Sequence, residues 1–272
     1  MKRLKVKNDF IFQKIFGQNE NKDILISFLN AVLELEDRQK LNDIEILDNT
    51  KLKRDGPADK LGILDIRAKT LAGEQINIEV QLVNQYNMDK RTLFYWSKMY
   101  SEQLKEGQPF DDLKKTITIN ILDFNYMDVD SYNTVFHLWE DRRKDYKLTD
   151  VLEIRFIELP KFRKAKFDLS RPLDRWLIFI DDLPEEVLKM AMKAEPVIAK
   201  AEEILKYLGS LDEVKRYYEA REKEIHDEVT RITGAKKESL LEVAKRMLCK
   251  GVPIEQIIEY TGLSIEEVKK LE

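Results

Sequence analysis

The stretch LGILDIRAKTLAGEQINIEVQL, residues 61–82, decides how the rest of the chain is read. Both halves alternate with the period of a β-strand. Ile63, Asp65, Arg67 and Lys69 point one way and Leu64, Ile66 and Ala68 the other; then Gln75, Asn77, Glu79 and Gln81 oppose Ile76, Ile78, Val80 and Leu82. Thr70 to Glu74 is short enough for a hairpin loop, with Gly73 free to take a positive φ. A three-residue loop centred on Ala72 makes facing positions sum to 144 and sets Asp65 opposite Glu79, whereas a two-residue turn shifts the pairing by one. Directly opposed Cβ atoms lie about 5 Å apart, where like charges repel. Two readings follow: the wet face of a half-exposed hairpin, or a shared site for a hard divalent cation that turns the repulsion into ligation.

Working outward, KNDFIFQKIFG places Phe12, Ile15 and Phe16 at helical spacing, with Asn8 or Asp9 as cap and Gly17 as terminator. A second helix spans about Asp23 to Leu33, and DIEILDN (43–49) alternates like a strand. Asp55-Gly56-Pro57 marks a loop. After the hairpin come a helix over about Met88 to Glu106 and a strand over Lys115 to Phe124, then strands near 132–139 and 150–159 ended by Pro160. Beyond Leu173 the pattern is helical: Trp176 to Ile180, a run from Glu185 to Leu208, and a charged helix over about 211–229. The tail AKRMLCKGVPIEQIIEYTGLSIEEVKKL reads as short helices broken at Gly251 and Pro253, with Ser264 and Glu267 forming a capping box in a helix-turn-helix-like arrangement.

With 272 residues, 43% apolar and 36% charged, the chain supports a sizeable core without disulfides. A net charge of −4 excludes a uniformly basic nucleic-acid coat, though not local contact. Cys249 is the single cysteine, and with only His137 and His226 it offers no zinc-ligand spacing; its expected role is a small residue on a helix face. No apolar run is long enough for a membrane span, and the N-terminus lacks a signal-like apolar core, so a cytoplasmic location is expected.

An Asp on one strand followed by Glu-x-Gln on the next, after a helical start and before a helix, resembles the PD-(D/E)XK nuclease core. KNDFIFQKIFG, LGILDIRAK, INIEVQL and NMDKRTLFYWSKMY, in that order, resemble more closely the recombination-promoting nuclease family, also described as transposases of that superfamily; the tail LCKGVPIEQIIEYTGLSIEEV is similar as well. The resemblance implies an α/β fold, a restriction-endonuclease-like mixed central sheet flanked by helices, with a helical C-terminal region. The expected domains are a nuclease-like 1–170, a helical extension 171–235 and a small tail 236–272 for dimerisation or DNA contact.

It also implies a metal-dependent DNA endonuclease linked to recombination or DNA mobility. Asp65, Glu79 and Gln81 would be its catalytic residues, and Asp65, Glu79 and the Val80 carbonyl would hold Mg²⁺, with Mn²⁺ as substitute. Gln81 stands where many relatives carry Lys; an amide can orient water but supplies neither charge nor proton. Asp9 is either an acid facing the metal or a helix cap. Arg91 and Tyr95, four apart on one helix face, are either phosphate-positioning groups or a surface pair, while Phe94, Trp96 and Tyr100 are expected in the core. Asp59 and Lys69 are expected as a solvated loop and strand end, and RPLDR and AKRMLCK as solvated or phosphate-contacting basic runs. DNA is the expected partner, with a homodimer favoured over operator reading because Glu255, Glu259, Glu266 and Glu267 make the tail acidic. The alternative is a catalytically weak DNA-binding or assembly module.

Overall fold

The structure is a computed structural model describing residues 3–47 and 66–271. It contains two compact units, Met1–Arg221 and Glu222–Glu272. The first is built on a six-stranded mixed sheet of order β1-β2-β3-β4-β6-β5, with β1 (Ile44–Leu47), β2 (Ile66–Thr70), β3 (Gln75–Gln81), β4 (Thr116–Leu122), β5 (Asn133–Trp139) and β6 (Lys147–Glu158). The β3/β4 and β4/β6 pairs are parallel and the others antiparallel.

One face of the sheet is apolar because every second residue is Ile, Val or Ala. Ile66 and Ala68 of β2, Ile76, Ile78 and Val80 of β3, and Ile117, Ile119 and Ile121 of β4 pack with α1 (Asp9–Phe16), α2 (Lys22–Val32), α5 (Pro172–Ile180), α6 (Glu185–Ala194) and α7 (Pro196–Ser210) in one core. Phe12, Phe16, Phe28 and Trp176 form its aromatic centre. The other face meets α3 (Met88–Ser101): Thr92 donates to Asn120 Oδ1 at 3.0 Å and Trp96 Nε1 to the Thr116 carbonyl at 2.8 Å.

The β2/β3 hairpin has the three-residue loop. Ile66 faces Ile78 and Lys69 faces Gln75, pairs that sum to 144. The Thr70 amide donates to the Glu74 carbonyl at 3.0 Å, and Gly73 sits at φ +89°. A side chain there is strained, and an added Cβ would lie 3.2 Å from Lys114 Cγ. Gly73→Ala should therefore cost about 1 kcal/mol or slightly more, read as a lower denaturant midpoint with unchanged m-value.

Several boundaries differ from expectation. Asn8, not Asp9, caps α1, accepting from the Ile11 amide, and the helix ends at Gly17 as read. The third helix stops at Ser101, short of Glu106. The run from 185 to 208 is two helices, because Glu195 is extended and Pro196 can only begin the next one. The sixth strand starts at Lys147, and Pro160, rather than only ending it, opens α4 (Leu159–Lys164). RPLDR forms the start of α5, and its arginines are engaged inside the unit: Arg171 with Tyr132 and Glu34, Arg175 with Glu195 and backbone carbonyls. The charged helix, α8 (Asp212–Cys249), runs twenty residues beyond the expected end at 229.

In the second unit, α9 (Ile254–Thr261) and α10 (Ile265–Lys269) pack around Ala244, Ile257, Leu263 and Val268. Gly262 adopts the left-handed conformation that ends α9, and the Ser264/Glu267 capping box is formed as read. Cys249 is exposed. Among the described residues, no helix is long and apolar enough to cross a membrane.

Candidate functional site

The polar face of the hairpin is not wet. α3 lies over it, leaving Glu79 1% exposed and Asn77 equally buried, so the exposed-hairpin reading is overturned. The strand alternation that sends Ile78 and Val80 into the apolar core sends Asn77, Glu79 and Gln81 to the opposite face.

Neither Glu79 oxygen has a hydrogen-bond donor among the described residues. The nearest cation is Arg91, whose Nε lies 3.6 Å from Oε2, too far for a hydrogen bond. Arg91 Nε is itself unsatisfied, and its guanidinium lies 5.5 Å from the centre of the Tyr95 ring. Burial pushes the Glu79 carboxyl up to about 7, with Arg91 pulling it down less strongly. Burial also raises the Tyr95 phenol, Arg91 opposing and the Glu79 charge adding.

The structure thus joins three of the residues singled out in the sequence, Glu79, Arg91 and Tyr95. Gln81 is half-buried at the strand end, where its carbonyl accepts from the Asp123 amide at 2.9 Å. Val80 faces the apolar core with its side chain. Asp9 is held by Arg221, which reaches Oδ2 at 2.6 Å and Oδ1 at 2.9 Å, so its observed role is an ion pair within the first unit. Asp65 and Asp59 lie outside the described residues. Among the described residues, no three His, Cys, Asp or Glu side chains are grouped to hold a metal. Of the three α3 aromatics expected in the core, Trp96 is half-buried against the Met88, Leu122 and Phe156 cluster with Tyr100 stacked on it, whereas Phe94 is 51% exposed; Tyr95 is the buried ring, because positions 88, 92, 95 and 99 turn toward the sheet.

Three polar residues of this layer were given no site role in the sequence reading. Arg67, Asn77 and Thr118 are buried on the α3 side, and Asn77 and Thr118 are register partners on β3 and β4. Six of the eight unsatisfied buried side-chain atoms among the described residues belong to Arg67, Asn77, Glu79, Arg91 and Thr118. That concentration marks one polar layer, because buried polar groups are ordinarily satisfied. Its signal was available in KTITINIL, where Thr116, Thr118 and Asn120 alternate with isoleucines just as Asn77 and Glu79 do.

An ionised carboxylate buried without donors is costly unless a cation joins it. Glu79 therefore suits a hard divalent ion, which takes carboxylate oxygens as ligands. A family model described as PD-(D/E)XK nuclease family transposase matches residues 6–235. No match was found among curated proteins, and none among solved structures.

Proposed function

We propose that this chain, which belongs to the PD-(D/E)XK nuclease family of transposases, is a cytoplasmic Mg²⁺-dependent DNA endonuclease serving recombination or DNA mobility. The observation that carries the reading is the Glu79 carboxylate, sunk beneath α3 with both oxygens lacking a donor among the described residues. Glu79, Asp65 and the Val80 carbonyl would hold the ion. When bound, it supplies Lewis-acid charge beside the scissile phosphate and acidifies a coordinated water.

The chain's own groups do the rest. Arg91, which makes no hydrogen bond through Nε among the described residues, would take a phosphate oxygen beside Glu79. Tyr95 backs its guanidinium as a ring within cation–π range. The Gln81 amide orients water without taking its proton. α3 keeps bulk water off the buried carboxylate, which strengthens every charge interaction there. A homodimer through the tail is part of the same reading, supported by the exposed Tyr260 and Ile265 of the second unit.

Plasmid nicking tests the proposal. The wild-type chain should convert supercoiled to nicked or linear DNA in Mg²⁺ or Mn²⁺, and chelation or Asp65→Ala should reduce this to background. An absence of metal-dependent cutting by the wild type would leave the assembly-module alternative.

A further inference from the structure

β6 is twelve residues long, but its pairing with β4 begins only at Leu152. Residues 147–151 have no β4 register partner, and Lys147 and Thr149 pair with Trp139 and Leu138 of β5, so this hairpin continues past the sheet as a two-stranded ribbon, by about 16 Å at the usual rise per residue. Its exposed apolar side chains do not form one face. Leu138 and Trp139 stand opposite Thr149 and Lys147, which share one side of β6, while Leu148 between those two lies on the other; all three are exposed, so apolar groups emerge on both sides of the ribbon. A surface built to lie flat on a protein partner would show one such side.

Arg142, Arg143 and Lys144 crown the ribbon. Of the four acids from 140 to 150, Asp141 makes no ion pair among the described residues, while the other three are engaged: Glu140 accepts from the Arg142 amide at 2.9 Å and from the Arg143 amide, Asp145 pairs with Arg143 at 3.4 Å, and Asp150 holds Lys115 and Lys147. Among the described residues, no carboxylate lies within ion-pair reach of the Arg142 or Lys144 side chains. Two rings flank the apex with cations over them, Arg143 at 5.9 Å from Tyr146 and Lys147 at 5.3 Å from Trp139. Edge-to-edge pairing with a second copy is hindered, because register shifts interrupt β5 between Phe136 and Trp139.

We infer that the β5/β6 ribbon is a DNA-docking element that enters the major groove of duplex DNA. A groove about 12 Å wide admits a two-stranded ribbon and has walls on both of its sides. Arg142, Arg143 and Lys144 take the phosphates, and Trp139 and Tyr146 contact sugar and base edges. This inference rests on the nuclease reading for its substrate class, and adds where that substrate is gripped.

The test is binding of a labelled duplex by the full chain in chelator, so that nothing is cut, across a sodium chloride series. The triple substitution Arg142→Ala, Arg143→Ala and Lys144→Ala should weaken binding at least about tenfold and flatten the log–log salt slope by about 2 to 3, since each phosphate contact contributes about 0.9. Replacing the two arginines by Lys should restore the slope. Unchanged melting would show that these exposed positions leave the fold intact. Wild-type binding with an unaffected triple variant would overturn the ribbon inference alone. So would Leu138→Ser with Trp139→Ser lowering the solution mass while affinity and slope hold, which would make the ribbon a protein contact. Failure of the wild type to bind DNA would remove both this inference and the nuclease proposal.

Discussion

Glu79→Ala should lower metal-dependent nicking by about a thousandfold or more while leaving the protein folded. An ion that stabilises transition-state charge contributes several kcal/mol, and each 1.36 kcal/mol is tenfold in rate. Ordinarily, deleting a buried charged group destabilises, because its partner is stranded. Here the partner is weak: Arg91 is 3.6 Å away, makes no hydrogen bond to Glu79, and is itself partly exposed. The carboxylate is the strained group. Raised from 4.5 to about 7, it holds its proton more tightly folded than unfolded. Its contribution to stability is thus full below pH 4.5, declines as pH rises through the interval, and is gone above about 7. The span corresponds to about 3 kcal/mol. In chelator, the wild-type denaturation midpoint should fall between pH 5 and 8, and Glu79→Gln should flatten that fall. A Glu79→Ala protein that still cuts at the wild-type rate would remove Glu79 from the chemistry.

Trp176→Ala should destabilise by about 3 to 5 kcal/mol, the cost of a large core truncation that cannot collapse. Trp176 is fully buried, its ring centre 5.6 Å from that of Phe16 and 5.8 Å from that of Phe28, and its Nε1 donates to Ser27 Oγ at 3.3 Å. It therefore joins α5 to α1 and α2 on the apolar side of the sheet. Against a typical total of about 5 to 15 kcal/mol, the loss is large enough to bring unfolding near working temperature. Equilibrium denaturation reads it directly. A change under 1 kcal/mol would show that α5 is not part of the core that supports the sheet.

Features set by local chemistry were legible in the sequence. The Thr70–Glu74 segment limited the hairpin to a three-residue loop or a two-residue turn, and the observed pairs follow the three-residue loop. The Ser264/Glu267 box carries its geometry in its own side chains, so this part of the tail was readable in detail. The apolar alternation of Ile76, Ile78 and Val80 in β3 identified the core face for the same reason.

What was not legible depends on packing at a distance. Asn77 and Glu79 look like a solvated face until α3 covers them, and alternation alone cannot distinguish a wet polar face from a buried polar layer. Phe94 was misplaced because aromatic content, rather than the 88, 92, 95 and 99 spacing, guided the reading of α3. Asp9 could not reveal Arg221, which is 212 positions away. The break at Glu195 was an exception: Pro196 announced it locally, because proline cannot sit inside a helix without losing a hydrogen bond.

The pivotal measurement is anomalous diffraction from crystals of the chain grown in Mn²⁺, which locates the metal independently of any activity. The expected result is a manganese peak bonded to Glu79, with Asp65 as a second ligand and the Arg91 guanidinium turned from Glu79. Crystals saturated with Mn²⁺ that show no peak there, with Glu79 still facing Arg91, would contradict the metal-dependent nuclease reading.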